Sequence, residues 1–244
     1  MIQELLILST IIFFASFTEA LSGFGTVIIS VTFGIHFFPI ELILSIIVPM
    51  NLILSTYVVS RNTKHINFEL LIKKILPFMS LGLLLGLFIF NYIQGNLLKK
   101  IYGFLIVILS IYQLNKLLTK KEQKKPKNAF INFMIFLGGV IHGIYASGGP
   151  MIVYALSNEQ LTKERFRANL STVWLFFNTI LTIIYIFTGK ITETSFKFIL
   201  YLIPSLLLGI LVGDLAHKKI KEENFKIFIF SVLILAGASI LFRK

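Results

Sequence analysis

The sequence predicts an all-α integral membrane protein of two inverted repeats, each a re-entrant broken-helix hairpin followed by three transmembrane helices. Three observations lead to this prediction: an apolar composition, a basic segment at the midpoint with similar segments on either side, and a glycine-rich interruption early in each half. The chain has 244 residues, of which 56% are hydrophobic, and its mean hydropathy is +0.87. Because soluble domains contain only about 45–50% apolar residues, the composition indicates a polytopic membrane protein.

About eight hydrophobic segments are long enough to cross or enter a bilayer. Two of them carry the glycine-rich interruptions and cover roughly residues 2–38 and 129–156. The others carry almost no charge: Ile40–Val59, Ile75–Phe90, Ile101–Leu114, Leu170–Thr188, Phe198–Val212 and Phe225–Leu241. Since about 20 apolar residues span the hydrocarbon layer as a helix, these windows, with a few flanking residues where they are short, are predicted to be transmembrane helices.

Composition also excludes several kinds of site. Without cysteine the chain has no disulfide, no thiolate metal ligand and no thiol nucleophile. Its four histidines are scattered, without the spacing of a metal site, and there is no Walker-type phosphate loop. The net charge of +12 indicates basic loops that set membrane orientation rather than nucleic-acid binding, because no soluble domain could carry that function. We therefore expect no cofactor, no metal, no nucleic-acid partner and no catalysis.

The two halves resemble each other on either side of a basic linker, Thr119–Asn128. The proline and both glycines of Pro77–Gly86 recur with the same spacing in Pro204–Gly213, and Asn51 has its counterpart in Asn178 at the same offset. Internal repeats of this kind are frequent in secondary transporters. The predicted division is a first transmembrane repeat at 1–118, a cytoplasmic linker at 119–128 and a second transmembrane repeat at 129–244.

The topology depends on how the two broken segments cross the membrane. If each crosses once, lysine and arginine divide fairly evenly between the two sides. If each enters, breaks and returns as a hairpin, a large majority of the 23 lysine and arginine residues collect on one side. Because positive charge is enriched on the cytoplasmic side, the hairpin is favoured, with single crossings as the alternative. The hairpin places both termini outside and, with three plain crossings per repeat, makes the repeats inverted.

The interruptions, TEALSGFGTV at Thr18–Val27 and IHGIYASGGP at Ile141–Pro150, place glycines and polar residues where a membrane helix should be uniformly apolar. Irregular backbone at membrane depth is tolerated only where protein buries it or a watery cavity wets it. Each break should start a new helix, whose N–H groups and positive dipole end suit an anion. We expect the breaks to meet near the midplane and to bind an anion through Ser22, Gly23, Gly25, Thr26, Ser147, Gly148, Gly149 and Pro150. The alternative is close helix packing, which is the role predicted for Gly82, Gly86, Gly209 and Gly213.

Four further polar residues lie in otherwise apolar segments. An acid such as Glu19 is costly in hydrocarbon and usually faces a cavity or pathway, and His142, which occupies the equivalent place in the second half, is of a type that changes charge near neutral pH. Both are candidate proton-coupling or gating residues. The alternatives are a structural role, as a pair between them or through capping of the opposite repeat's break by Glu19, and exposure at a helix end. Asn51 and Asn178 are candidate substrate ligands or, alternatively, hydrogen-bonding links between helices.

Three motifs, Gly-Phe-Gly at Gly23–Gly25, Ser-Gly-Gly-Pro at Ser147–Pro150 and Arg-Phe-Arg-Ala at Arg165–Ala168, together resemble the sulfite exporter TauE/SafE family. The resemblance covers essentially the whole chain, although the first break has Thr26 and Val27 where many members have a run of three glycines. It implies transport of sulfite, sulfonates and other small, often sulfur-containing anions across bacterial inner membranes. The arginines of the third motif are interpreted as charges at the cytoplasmic start of a helix, with a gate for the entering anion as the alternative.

The sequence therefore predicts a secondary transporter of small anions, driven by protons or by the membrane potential, and not an enzyme. The alternative is a small-anion channel with the same architecture. The expected partners of the protein are a small anionic substrate and the lipid bilayer, and a homo-oligomer is left open. Its expected location is the bacterial inner membrane, which it crosses several times.

Overall fold

A computed structural model describes residues 2–34, 36–90, 96–119 and 126–241. These residues form helices and the turns between them, with no strand in the described ranges. The α-helices are α1 (Ile2–Ser22), α2 (Thr26–Gly34), α3 (Ile40–Arg61), α4 (Phe68–Leu70), α5 (Leu76–Phe90), α6 (Asn96–Thr119), α7 (Asn128–Tyr145), α8 (Gly149–Ser157), α9 (Lys163–Phe187), α10 (Glu193–Lys219) and α11 (Glu222–Leu241). A 3₁₀ turn, Thr63–His65, precedes α4, and a π-helical segment, Leu71–Ile75, joins α4 to α5.

Most of these helices are apolar enough for a bilayer. Within the described residues, seven helical stretches are long and hydrophobic enough to cross a membrane: Gln3–Ser22, Ile40–Arg61, Phe68–Ile89, Asn128–Tyr145, Lys163–Phe187, Glu193–Lys219 and Glu222–Leu241. A shorter apolar stretch, Ile106–Thr119, belongs to α6. The prediction of an all-α chain with many membrane-length helices is confirmed over the described ranges.

Both predicted interruptions divide a helix. The first separates α1 from α2, and the second separates α7 from α8. The two short helices have 9 residues each, a length of roughly 13 Å that cannot cross the hydrocarbon layer. Instead α2 packs against α1 and α8 packs against α7. The helix breaks predicted from glycine and proline are therefore confirmed.

The helices pack as two compact units, each of which contains segments from both halves of the chain. The first unit comprises Met1–Asn67 and Glu164–Lys219, and the second unit comprises Phe68–Lys163 and Ile220–Lys244. This division by packing differs from the division by sequence similarity at 1–118, 119–128 and 129–244, which stays a prediction. Residues 120–125 of the predicted linker lie outside the described residues.

In the first unit, α1 packs closely against α10 through two glycines. A Cβ atom at Gly209 would lie 2.6 Å from the carbonyl oxygen of Phe13. A Cβ atom at Gly213 would lie 2.7 Å from the Cβ atom of Ala20. Because a side chain at either position could not be accommodated without moving a helix, the packing role predicted for these two glycines is confirmed.

The second unit has the corresponding contact between α5 and α7. A Cβ atom at Gly82 would collide with the carbonyl oxygen of Phe136, and one at Gly86 would collide with the carbonyl oxygen of Val140. The four glycines that the repeat aligns therefore perform one packing role in both units.

Candidate functional site

The first break depends on two glycines. Between the end of α1 at Ser22 and the start of α2 at Thr26, Gly23 has a φ angle of +87° and Gly25 a φ angle of +133°. Side chains rarely adopt this region of backbone space, which favours glycine. Gly23 also lies against α9, because a Cβ atom there would be 2.9 Å from both the Cα atom and the carbonyl oxygen of Arg167. Both glycines are therefore required by the geometry of the turn.

The carboxylate of Glu19 caps the start of α2. Its Oε2 atom accepts a hydrogen bond of 2.8 Å from the backbone N–H of Thr26, and the side chain is only 2% exposed. A carboxylate in this place is stabilised by the N–H group and by the positive end of the helix dipole. From the sequence, this N–H group is expected to be open to a substrate anion, or Glu19 to cap the break of the opposite repeat. Glu19 instead caps the break of its own repeat.

The hydroxyl groups predicted at this break form local bonds. Ser22 Oγ donates to the carbonyl oxygen of Thr18 at 2.6 Å, and Thr26 Oγ1 donates to the carbonyl oxygen of Ala15 at 3.4 Å. Both bonds connect the turn back to α1. In this structure the hydroxyls therefore stabilise the turn itself.

The two asparagines of the repeat meet beside Glu19. The Nδ2 atom of Asn51 donates to Glu19 Oε1 at 2.6 Å, and the Nδ2 atom of Asn178 donates to Asn51 Oδ1 at 2.7 Å. The Oγ atom of Ser55 donates to the same Oδ1 atom at 3.0 Å. These side chains are almost completely buried. A carboxylate, two amides and a hydroxyl thus form one continuous hydrogen-bonded chain inside the first unit.

Three side chains from much later in the sequence bind the carbonyl groups at the end of α1. Trp174 Nε1 donates to the carbonyl oxygen of residue 23 at 2.8 Å, and Arg167 donates to that of residue 20 at 2.8 Å. His217 Nδ1 lies 2.7 Å from the carbonyl oxygen of residue 21. The last carbonyls of a helix have no partner inside it, so these groups supply the partners. Sequence reasoning assigned none of the three to the break.

Arg167 is in addition one half of a buried ion pair. Its guanidinium lies 2.7 Å from Asp214 Oδ1, and the two side chains are 2% and 8% exposed. Lys218 Nζ, on the exposed side, lies 3.1 Å from Asp214 Oδ2. Arg167 is near the start of α9, as the sequence predicts, but it is buried against α1 and α10. The signal that sequence reasoning missed is Asp214, an acid that directly follows the apolar run of α10.

One face of α9 carries buried polar atoms that have no hydrogen-bond partner among the described residues. They are Arg167 Nε, Ser171 Oγ, Asn178 Oδ1 and Thr182 Oγ1, and their spacing places them on a single helical face. Other hydroxyls of α9, at Thr172 and Thr179, bond to the backbone one turn earlier. Buried polar groups are almost always hydrogen-bonded, so unpaired ones indicate where water or a ligand completes the structure. Two similar atoms, Ser30 Oγ and Thr32 Oγ1, lie on α2.

The second break is built differently. Ala146 ends α7 in the left-handed conformation, with a φ angle of 51°, and its N–H donates to the carbonyl oxygen of His142 at 2.8 Å. Gly148 precedes α8, and a Cβ atom there would collide with the carbonyl oxygen of Gly138. Pro150 lies in the first turn of α8, as predicted. Close packing of α8 on α7 therefore requires Gly148.

The predicted site residues thus fall into two groups. The first unit contains Glu19, Ser22, Gly23, Gly25, Thr26, Asn51 and Asn178. The second unit contains His142, Ser147, Gly148, Gly149 and Pro150. Their roles as substrate ligands, gates or proton-coupling groups stay predictions. Across the described ranges, no three histidine, cysteine or acidic side chains are grouped as metal ligands.

Residues 8–240 match the family model described as sulfite exporter TauE/SafE. The match includes both breaks, both asparagines and the buried ion pair. No curated protein and no solved structure matches the chain.

Proposed function

The chain belongs to the sulfite exporter TauE/SafE family, and we propose that it is a secondary transporter that carries sulfite or sulfonate-like anions across the bacterial inner membrane. Membership of an anion-exporting transporter family, together with the apolar helices, makes it a multi-pass membrane transport protein. Its partners are accordingly a small anion and the lipid bilayer.

The observation that carries the proposal is the polar face of α9. The unpaired atoms of Ser171, Asn178 and Thr182 share this face with Trp174, whose indole nitrogen contacts the first break. Each unpaired buried polar group costs about 1–3 kcal/mol, and a membrane helix could avoid the cost with an apolar side chain. We infer that these groups are retained because a polar solute binds along this face.

The chemistry of these groups suits a small oxyanion. The hydroxyl groups of Ser171 and Thr182 can donate to the oxygen atoms of sulfite or a sulfonate, whereas Asn178, in the orientation observed, presents the acceptor Oδ1 to this face. The cation at this break, Arg167, binds Asp214 and a backbone carbonyl through its terminal nitrogens, and its unpaired Nε atom lies on the same face. Because Asp214 already compensates the charge of Arg167, this face holds an anion weakly enough to release it, which a carrier requires at every cycle.

The proposal includes inverted repeats. Asn51 and Asn178 occupy equivalent places in the two halves and bond to each other, which supports a two-fold relation with its axis near this pair. The small-residue packing of α1 on α10 and of α7 on α5 also follows the repeat. With inverted repeats, both termini would lie outside and the basic linker in the cytoplasm.

Glu19 and His142 are the proposed proton-coupling groups. Glu19 supports this role because its carboxylate contacts both the break and the asparagine pair. Protonation there would change the charge of the site itself, and proton movement could therefore drive the anion.

The test uses purified protein in liposomes with labelled sulfite. We expect saturable exchange that unlabelled sulfite, thiosulfate or sulfoacetate inhibits. Ser171→Ala and Thr182→Val remove the unpaired hydroxyls of the polar face of α9 and should weaken the exchange while folded protein is retained, and Thr179→Val, which removes an exposed hydroxyl of the same helix, is the control. An anion flux far above the turnover rate of a carrier would show that the protein is an anion channel instead. If sulfite, thiosulfate, sulfoacetate, taurine and simple carboxylates all fail to bind or move, the proposed function is wrong.

A further inference from the structure

The buried chain of Glu19, Asn51 and Asn178 has a direction. Asn178 donates to Asn51, and Asn51 donates to the carboxylate. Because an ionised carboxylate accepts hydrogen bonds and cannot donate them, it fixes the orientation of the first amide, and the first amide fixes the second. At the far end, the direction leaves the acceptor Asn178 Oδ1 without a partner among the described residues.

Protonation of Glu19 would allow the opposite direction. The carboxyl O–H could donate to Asn51 Oδ1, and Asn51 Nδ2 could donate to Asn178 Oδ1, once each amide has made a half-turn. An amide group has nearly the same shape after such a turn, and the terminal torsion of asparagine is broad and roughly two-fold. The proton would stay on Glu19, and none would pass along the amides.

Both directions satisfy the interior of the chain equally well. Ser55 Oγ now donates to Asn51 Oδ1, and as a hydroxyl it could instead accept from Asn51 Nδ2 after the turn. Glu19 Oε2 could accept the Thr26 N–H group in either protonation state. Only the far end differs between the two directions, since the atom without a partner changes from the acceptor Oδ1 to the donor Nδ2.

We propose that this chain of side chains is an amide relay. When Glu19 takes up a proton, the relay changes the free end of Asn178 from a hydrogen-bond acceptor, Oδ1, into a hydrogen-bond donor, Nδ2, that can bind an anion. The inference rests on the proposed function, because it concerns the same anion site. In the ionised state Asn178 presents an oxygen that repels an anion. In the protonated state it presents N–H groups on the face of α9 that carries the unpaired hydroxyls. Proton uptake and anion binding would thereby be coupled between separate residues.

The other charged and titratable groups on the helices around Glu19 are distant or already paired, so the pH dependence is assigned to protonation of Glu19 itself. The short helix α2 carries none, and those of α3 lie toward its two ends, at Glu41, Tyr57 and Arg61. From α9 and α10, Arg167 and Asp214 compensate each other. His217 on α10 binds the carbonyl oxygen of Leu21.

The test measures binding of thiosulfate to the whole protein in lipid nanodiscs across the neutral pH range, because this anion does not titrate there. In the wild type, affinity should fall about tenfold or more as pH rises, the value of one charge-assisted hydrogen bond. Glu19→Gln can accept from Thr26 and donate to Asn51, so it mimics the protonated state. It should bind thiosulfate with the low-pH affinity at every pH.

A double-mutant cycle separates the relay from simple charge repulsion. In an Asn51→Leu background the relay is cut, so Glu19→Gln should change affinity by less than about twofold. Asn178→Leu provides the same cycle from the other end if Asn51→Leu does not fold. Thr179→Val, next to Asn178 on the exposed side of α9, is the matched control and should keep the wild-type pH profile.

Three results would overturn the relay. Wild-type affinity that does not vary with pH would do so, as would a Glu19→Gln gain that survives unchanged in both leucine backgrounds, since the charge of Glu19 would then act directly. In these two cases the anion site itself would stand. If no anion of the transport screen binds to the wild type at any pH, the proposed function fails and the relay fails with it.

Discussion

Replacement of Arg167 by methionine tests how the first break is held. Methionine keeps an unbranched apolar stem but removes the guanidinium. Two bonds disappear, the one to Ala20 O and the one to Asp214 Oδ1. Asp214 is then a carboxylate in a buried place whose remaining cation is Lys218 at 3.1 Å.

The magnitude follows from the burial of the pair. Removal of one partner of a buried ion pair costs about 3–5 kcal/mol. Lys218 continues to compensate Asp214 on its exposed side, so we expect the low end, about 3 kcal/mol. At about 2–4 °C per kcal/mol for a chain of this size, the apparent melting temperature should fall by about 6–12 °C.

Asp214→Leu in the same background provides the decisive comparison. The double variant no longer buries an unpaired carboxylate, and a buried ion pair replaced by apolar groups is often close to neutral. It still lacks a donor for Ala20 O, a loss of about 1–3 kcal/mol. The double variant should therefore melt between Arg167→Met and the wild type.

The assay measures the apparent melting temperature of detergent-purified protein. Samples are heated by one fixed protocol, and size-exclusion chromatography measures how much folded protein remains. Lys197→Met is the control, because it breaks an exposed pair with Glu193 and should shift the melting temperature by no more than about 2–4 °C. A double variant that melts at or below Arg167→Met, or an Arg167→Met variant that behaves like the control, would contradict the stabilising role of this buried ion pair.

Three further outcomes test the backbone and the topology. Gly23→Ala should lower the melting temperature well below that of Gly189→Ala, because both glycines have positive φ angles but only a Cβ atom at position 23 meets backbone atoms; equal shifts would contradict the close approach to α9. Gly209→Ala should lower it by about 2–12 °C through overpacking against α1, whereas Leu208→Ala on the exposed side should change little; the opposite order would reverse the assigned helix faces. Reporter proteins fused to either end should be found outside, and a cytoplasmic signal from the C-terminal fusion would exclude the proposed inverted topology.

Much of the fold could be predicted because it depends on local chemistry. Gly23 and Gly25 interrupt the first helix through their backbone conformations, and Gly148 with Pro150 marks the start of α8 after the second break. The packing role of Gly82 and Gly209 could be read from their shared spacing in the two halves. The meeting of Asn51 with Asn178 was signalled by their equal offset, although the sequence left open whether they bind substrate or each other.

The part that could not be predicted depends on long-range pairing. The sequence shows that Glu19 is an acid inside an apolar segment. Its two hydrogen-bond donors, Thr26 N–H and Asn51, are brought to it only by the fold. Arg167 sits at a helix start, where a solvated charge is common, and nothing local shows that Asp214 lies beside it. The helical spacing of the polar residues on α9 is visible in the sequence. Only the structure shows that several of these buried polar atoms have no hydrogen-bond partner among the described residues.

The first unit cannot be completed until α9 and α10 have been made. Arg167 is 147 residues from the carbonyl that it binds at the end of α1, a delay of about 7–30 s at ordinary rates of translation. During that time α1 has neither its α10 partner nor the groups that cover its last carbonyls. A nascent chain arrested before α9 emerges should therefore hold this helix end at the insertion machinery or at the lipid–water boundary, and only the late helices would draw it into the bilayer.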